Sequence, residues 1–148
     1  MKLWGGRFHR DLETQVQSYT QSLEVDARMV AEDIWASEVH AIMLAHQGII
    51  SVQDLVHLLT WLEKARREHE EGRLRLREDL EDVHMNIEHY LIQGAGPEYG
   101  GKLHTARSRN DQVLTDAKLY IRRRILQTEN LLLQLMRTLL DLARQHVE

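Results

Sequence analysis

The chain has 148 residues, 43% hydrophobic and 28% charged, with a formal net charge of −4 at pH 7. This composition indicates one soluble domain with a buried core and excludes an intrinsically disordered chain. Arginines interleaved with acidic residues argue against nucleic acid as a partner, and apolar runs too short to span a bilayer argue against a membrane. The absence of cysteine and of an N-terminal signal sequence predicts a cytoplasmic protein.

The positions of glycine and of the single proline predict an all-α fold built from four helical segments. The first segment covers about residues 26 to 47 and ends at Gly48, where a left-handed residue is favoured. The second begins at Ser51, which with Asp54 resembles a capping box, and extends to about residue 71. We expect these two helices to form an antiparallel pair.

Apolar residues spaced three or four apart predict the third helix; these residues are Leu76, Leu80, Val83, Ile87 and Leu91. This helix is predicted to end near Gly94. Residues 94 to 104 are predicted as a glycine-rich loop. The fourth segment, from residue 108 or 110 to 147, would be about 57 Å long at about 1.5 Å per residue. A compact chain of this size is only about 40 Å across. Because residues 131–136 and 139–143 are apolar around most of the helix circumference, other subunits or later helices of a longer chain must cover them.

The segment from Gly100 to Gln112 predicts a site for a small carboxylated molecule. The first turn of a helix has unpaired N–H groups and partial positive charge, and both attract anions. Arg107 and Arg109 carry guanidinium groups that suit carboxylates. Short hydrogen-bonding groups are added by Thr105, Ser108 and Asn110.

Four short stretches, in order along the whole chain, carry a family resemblance. They are Lys2 to Phe8, the pair Ser22 and Asp26, Glu81 to His84, and Gly101 to Gln112. In sequence and order they resemble the argininosuccinate lyases of the fumarase/aspartase superfamily, whose scaffold is shared by the lens delta-crystallins. The resemblance implies that residues 1–108 form a small N-terminal helical domain and that residues 109–148 form the first long helix of a central bundle.

The resemblance also implies an activity, the β-elimination of argininosuccinate to arginine and fumarate in arginine biosynthesis. It implies a homo-oligomer, expected to be a tetramer, a small-molecule substrate, and neither a cofactor nor a metal. The elimination places extra negative charge on a substrate carboxylate, so fixed donors that face this group lower the barrier. By resemblance, the substrate-binding residues are Ser22, Ser108, Arg109 and Asn110, and the supporting residues are Asp82, His84, Thr105 and Asp111.

The chain is about a third as long as members of this family, and it ends before the family's acid and base groups. The catalytic residues are therefore expected beyond Glu148, and we expect the 148-residue portion to be inactive alone.

Alternatives remain open at this point. Ser108 with Asp111 could only cap the fourth helix, and His84 with Glu88, four residues apart, could hold a metal. The protein could also be a non-enzymatic helical assembly protein on the same scaffold, or another superfamily enzyme such as adenylosuccinate lyase.

Overall fold

The structure is a computed structural model that describes residue 16 and residues 19–147. All regular structure within these residues is helical, which confirms the all-α prediction. The stretch from Lys2 to Phe8 lies outside the described residues. In the part of the chain described, no helix combines the length and hydropathy needed to cross a membrane.

The helices follow one another closely along the chain. Their bounds are α1 Leu23–Asp26, α2 Val30–His46, α3 Val52–Glu70, α4 Val83–Ala95, α5 Pro97–Gly100 and α6 Arg109–Gln145, with one 3-10 turn, Ala27–Met29, between α1 and α2. The helix α5 lies within residues 94–104, which the sequence predicted as a loop.

Helices α2 and α3 pack as the predicted antiparallel pair. The chain reverses at Gly48, whose φ of 68° is the left-handed conformation expected there. The capping box is confirmed because the Asp54 N–H donates to Ser51 Oγ at 3.1 Å and the Ser51 N–H donates to Asp54 Oδ2 at 2.9 Å. Lys102 then binds Asp54 Oδ1 at 2.6 Å, and this ion pair with the Ser51 bonds lowers the pKa of Asp54 to about 2. The segment ahead of α6 is thereby attached to α3.

The predicted start of the third helix was wrong. Helix α4 begins only at Val83, because Asp82 adopts an extended conformation and its side chain accepts a hydrogen bond from the Met85 N–H at 2.6 Å. Before this cap, the Asn86 side chain accepts from the Arg77 N–H at 2.6 Å and so satisfies a backbone group outside any helix. Leu80 is nevertheless buried, so the regular spacing of leucines reflects burial of a non-helical segment.

The core lies where α2, α3 and α4 face one another. Its largest fully buried apolar side chains are Ile34, Leu44, Leu58, Leu62, Ile87 and Leu91. Each such side chain contributes about 1.5–3 kcal/mol through removal from water. This packing brings the beginning of α4 and the beginning of α6 against α2.

Helix α6 has 37 residues and is therefore about 55 Å long, which confirms the predicted long helix. Only Gln112 and Asp116 of this helix are buried, both near its beginning. Further along, Arg123 reaches back to α2, where its Nε lies 2.9 Å from Glu32 Oε1. Beyond that point, exposed apolar side chains include Leu131, Leu132, Leu133, Leu135, Met136, Leu139, Leu140 and Leu142. No other described part of the chain covers them.

Candidate functional site

Residues 101–106 form turns, and Ser108 immediately precedes α6. Ser108 is extended, and its Oγ accepts a hydrogen bond from the Asn110 N–H at 3.2 Å. Ser108 therefore caps α6, as the alternative interpretation proposed, but its bond is with the Asn110 N–H rather than with Asp111. The side chains of Asn110 and Asp111 are exposed beside this cap. Ala106, with a φ of 55°, adopts a left-handed conformation that is uncommon for alanine.

The beginning of α4 brings together residues from three parts of the chain. Exposed Ser22 donates its hydroxyl to Asp26 Oδ2 at 2.6 Å, and Asp26 Oδ1 accepts the Val83 N–H at 3.2 Å. Burial raises the pKa of Asp26, and the Ser22 hydrogen bond partly opposes that rise. On the neighbouring residue, Asp82 Oδ2 lies 3.3 Å from Arg109 Nε. The beginning of α4 thus brings together three residues that were predicted from the sequence to belong to one site: Ser22, Asp82 and Arg109.

The guanidinium of Arg109 is engaged by the protein itself. Besides contacting Asp82, its Nη1 donates to Gln112 Oε1 at 2.7 Å, and its Nη2 lies 4.0 Å from Glu88 Oε2. Burial raises the pKa of Glu88, and the charge of Arg109 opposes that rise. These contacts fix the side chain of Arg109 against α4. A direct contact between Arg109 and substrate remains a prediction.

Thr105, one of the residues expected to support the site, is exposed ahead of α6. Its carbonyl oxygen lies 3.0 Å from His40 Nε2 on α2, which attaches the loop to that helix.

A buried polar cluster lies beneath the beginning of α6. His84 Nδ1 is 2.8 Å from Asp33 Oδ1, and Gln112 Nε2 donates to the same oxygen at 2.5 Å. Asp116 Oδ2 lies 3.3 Å from His84 Nδ1. The side chains of Asp33, His84 and Asp116 are at most 1% exposed, so the cluster is closed to bulk water. His84, predicted from the sequence as a supporting residue, lies in its centre.

The pKa values of the two carboxyl groups of this cluster are shifted in opposite directions. Burial, with the negative charge and hydrogen bond of Asp33, raises the pKa of Asp116 to about 8. Burial also opposes ionisation of Asp33, but the hydrogen bond and charge of His84 and the bond from Gln112 outweigh it and lower the pKa of Asp33. Asp33 is therefore the stronger acid of the two.

A divalent cation fits this cluster poorly. One ligand atom from each of Asp33, His84 and Asp116 lies within 4.8 Å of the others, which is compact enough for an ion. However, the His84 nitrogen concerned is already hydrogen-bonded to Asp33. The positive charge of Arg107 also acts on both carboxyl groups. The pair His84 and Glu88 offers no better site, because Glu88 lies beside Arg109.

The sequence did not predict three members of this network, Asp33, Ser37 and Asp116, and it predicted Arg107 only as a group that suits carboxylates. Asp33 and Ser37 are four residues apart on α2, Gln112 and Asp116 are four apart on α6, and the Arg107 guanidinium donates to Ser37 Oγ at 3.0 Å. Burial lowers the pKa of Arg107, opposed by the charges of the nearby carboxylates. The available signal was this four-residue spacing, which places two polar residues on one helix face.

Comparison with known proteins identifies the protein family to which the chain belongs. A family profile described as lyase matches residues 6–148, so the chain belongs to this lyase family. Within it, the chain is similar to argininosuccinate lyases, as the four sequence stretches predicted. It is 42% identical to the enzyme of Staphylococcus haemolyticus over 99% of the chain. It is 45% identical to that of Alkaliphilus metalliredigens over 100% of the chain. It spans 32%, about a third, of the length of each of these curated relatives.

Proposed function

We propose that the chain forms part of an argininosuccinate lyase, which splits argininosuccinate into arginine and fumarate in cytoplasmic arginine biosynthesis. The observation that carries this proposal is the similarity to argininosuccinate lyases over the full length of the chain. The exposed beginning of α6 supports it, because a helix N-terminus with short polar side chains suits the carboxylates of such a substrate.

In the proposed reaction, a proton leaves the carbon beside a carboxylate, and the guanidino nitrogen is then expelled. The carboxylate gains negative charge as the proton leaves, so donors already in place stabilise the transition state more than the ground state. We assign this role to the exposed Asn110 and Ser108, and we propose Ser22 as a further substrate contact whose hydroxyl turns from Asp26 Oδ2 to the substrate on binding. Arg109, fixed by Asp82 and Gln112, adds positive charge to the same region.

The proposed supporting residues act through the protein rather than on the substrate. Asp82 caps α4 and contacts Arg109, while His84 binds Asp33 beneath α6. Thr105 attaches the loop to α2, and Asp111 lies in the first turn of α6. The acid and base are assigned to sequence beyond this portion, so the 148-residue chain alone is proposed to be inactive. The chemistry calls for neither a cofactor nor a metal.

We further propose that residues 1–108 form a small domain and that residues 109–148 begin the central helical bundle of a homotetramer. The exposed leucines of α6 support this, because an isolated helix in water does not retain so broad an apolar surface.

Light scattering after size exclusion is expected to show a mass well above the 17.4 kDa of one chain, with four chains as the proposed state. Replacing Leu132 and Leu139, seven residues apart on one exposed face, with lysine is expected to give monomers without unfolding α6. Gln134→Lys on the same helix adds a charge without removing apolar surface and serves as the control. A well-behaved 17.4 kDa monomer of the unsubstituted chain would contradict the assembly proposal.

Substrate identity can be tested with a chimera in which this chain replaces the matching first third of the Staphylococcus haemolyticus enzyme. The chimera is expected to release fumarate from argininosuccinate, with adenylosuccinate neither used nor inhibiting strongly. Turnover of adenylosuccinate instead would assign a different lyase activity. An assembled chimera that binds neither compound would favour a structural role for this portion.

A further inference from the structure

The buried cluster has too few hydrogen-bond donors for its carboxyl oxygens. Asp33 Oδ1 accepts both the His84 N–H and the Gln112 amide, whereas Asp33 Oδ2 and both oxygens of Asp116 have no donor in hydrogen-bonding geometry. The His84 N–H cannot serve two acceptors well, and it lies closer to Asp33 than to Asp116. Three buried carboxyl oxygens without a donor would be costly if both groups were ionised.

One proton between the carboxyl groups gives two of these three oxygens a hydrogen-bond partner. We infer that Asp33 and Asp116 form a buried pair that shares a single proton, with Asp116 as the neutral acid that donates to Asp33. The proton supplies a donor to Asp33 and removes the repulsion between two buried charges. It joins α2 to the beginning of α6, independently of which substrate the protein uses.

The surroundings of Asp116 agree with a single remaining negative charge. Asp33 and Glu32 face it from α2, His84 from α4 and Arg107 from the segment ahead of α6. The positive charge of Arg107 favours one ionised carboxylate, and the acidic residues on α2 oppose a second. Gln112, one turn earlier on α6, donates to Asp33 and stabilises its ionised form, which leaves Asp116 as the member that holds the proton.

The pair also has a defined place in the fold. Gln112 uses its amide nitrogen on Asp33 and its carbonyl oxygen on Arg109, so one side chain connects the pair to the beginning of α6. The pair therefore holds the helix end on which Arg109 and Asn110 are carried. Loss of the shared proton at high pH weakens this attachment.

The sign of the pH dependence follows from the raised pKa of Asp116. Below about pH 4 this group is protonated in both the folded and unfolded chain, and it adds no pH dependence. Between about pH 4 and pH 8 the unfolded chain releases the proton while the folded chain retains it, so folding becomes less favourable as pH rises. Above about pH 8 both states have released it, and the dependence ends.

The test compares the unsubstituted protein with Asp116→Asn, whose amide donates an N–H to Asp33 and cannot titrate. Between about pH 4 and pH 8, the folding constant of the unsubstituted protein is expected to fall up to about tenfold per pH unit relative to the variant. Asp141→Asn, which changes an exposed carboxylate of the same helix, is the control and should follow the unsubstituted protein. Identical pH dependence for Asp116→Asn and the unsubstituted protein would overturn the inference.

Infrared spectroscopy of protein labelled with ¹³C at its aspartate carboxyl groups provides a readout that does not depend on how the variant folds. A band of a protonated aspartic acid is expected at pH 6 and should disappear above about pH 8, whereas its absence at pH 6 would overturn the inference.

Added Zn²⁺ is the probe for a metal ion as the alternative occupant of the cluster. An increase in melting temperature with Zn²⁺ that Asp116→Asn lacks would show that a metal replaces the proton, and no such increase is expected.

Discussion

Replacing Asp33 with alanine is expected to lower the free energy of unfolding by about 3–5 kcal/mol. Asp33 is fully buried and accepts hydrogen bonds from His84 and Gln112. Its removal leaves both donors without an acceptor in a site closed to water, and it also removes the charge that balances Arg107. Urea unfolding followed by circular dichroism measures the difference.

Asp141→Ala is the matched control for this variant. Asp141 is exposed on α6 and lies 3.5 Å from an equally exposed Arg144, so its removal should change stability by less than about 1 kcal/mol. A loss below about 1 kcal/mol for Asp33→Ala would show that water or a rearranged side chain replaces the carboxylate. The buried cluster would then not be what holds α6 to α2.

Replacing Asn110 with alanine in the chimera is expected to lower kcat for argininosuccinate by about 10²–10³-fold. The Asn110 side chain is exposed in the first turn of α6, where its amide can donate to a carboxylate that gains charge during the reaction. Because the charge develops in the transition state, the loss should fall on kcat more than on KM. Initial rates of fumarate release over a range of substrate concentrations separate the two.

Asn130→Ala provides the control, since Asn130 is an exposed asparagine on the same helix, 20 residues further along. This variant should retain the rate of the unsubstituted chimera. If Asn110→Ala changes only KM, Asn110 binds substrate without stabilising the transition state. If it changes neither parameter, the proposed location of the substrate carboxylate is wrong.

Features set by local chemistry could be predicted from the sequence. The left-handed Gly48, the Ser51 capping box and the length of α6 each depend on residues close together in the chain. The spacing of Leu76 and Leu80 gave a wrong prediction because leucines that are buried or partly buried in a non-helical segment can have the same spacing. The cap at Asp82, which follows both leucines, marked the true beginning of α4.

The candidate site could be predicted only in part. Its position at the beginning of α6 followed from the residues and the family resemblance. The partnership of Asp33 with His84 and Asp116 did not, because these residues are 51 and 83 positions away from Asp33 and meet only after three helices have packed. The contact between Arg109 and Asp82 likewise depends on how α4 and α6 lie against each other.

We propose that this chain supplies the first part of an argininosuccinate lyase site. The most direct test is the initial rate at which the unsubstituted chimera releases fumarate from argininosuccinate, measured by ultraviolet absorbance beside the parent enzyme. We expect a rate within about tenfold of the parent, because the residues of α6 proposed to bind substrate are all present. A chimera that folds and assembles like the parent but releases no fumarate would contradict it.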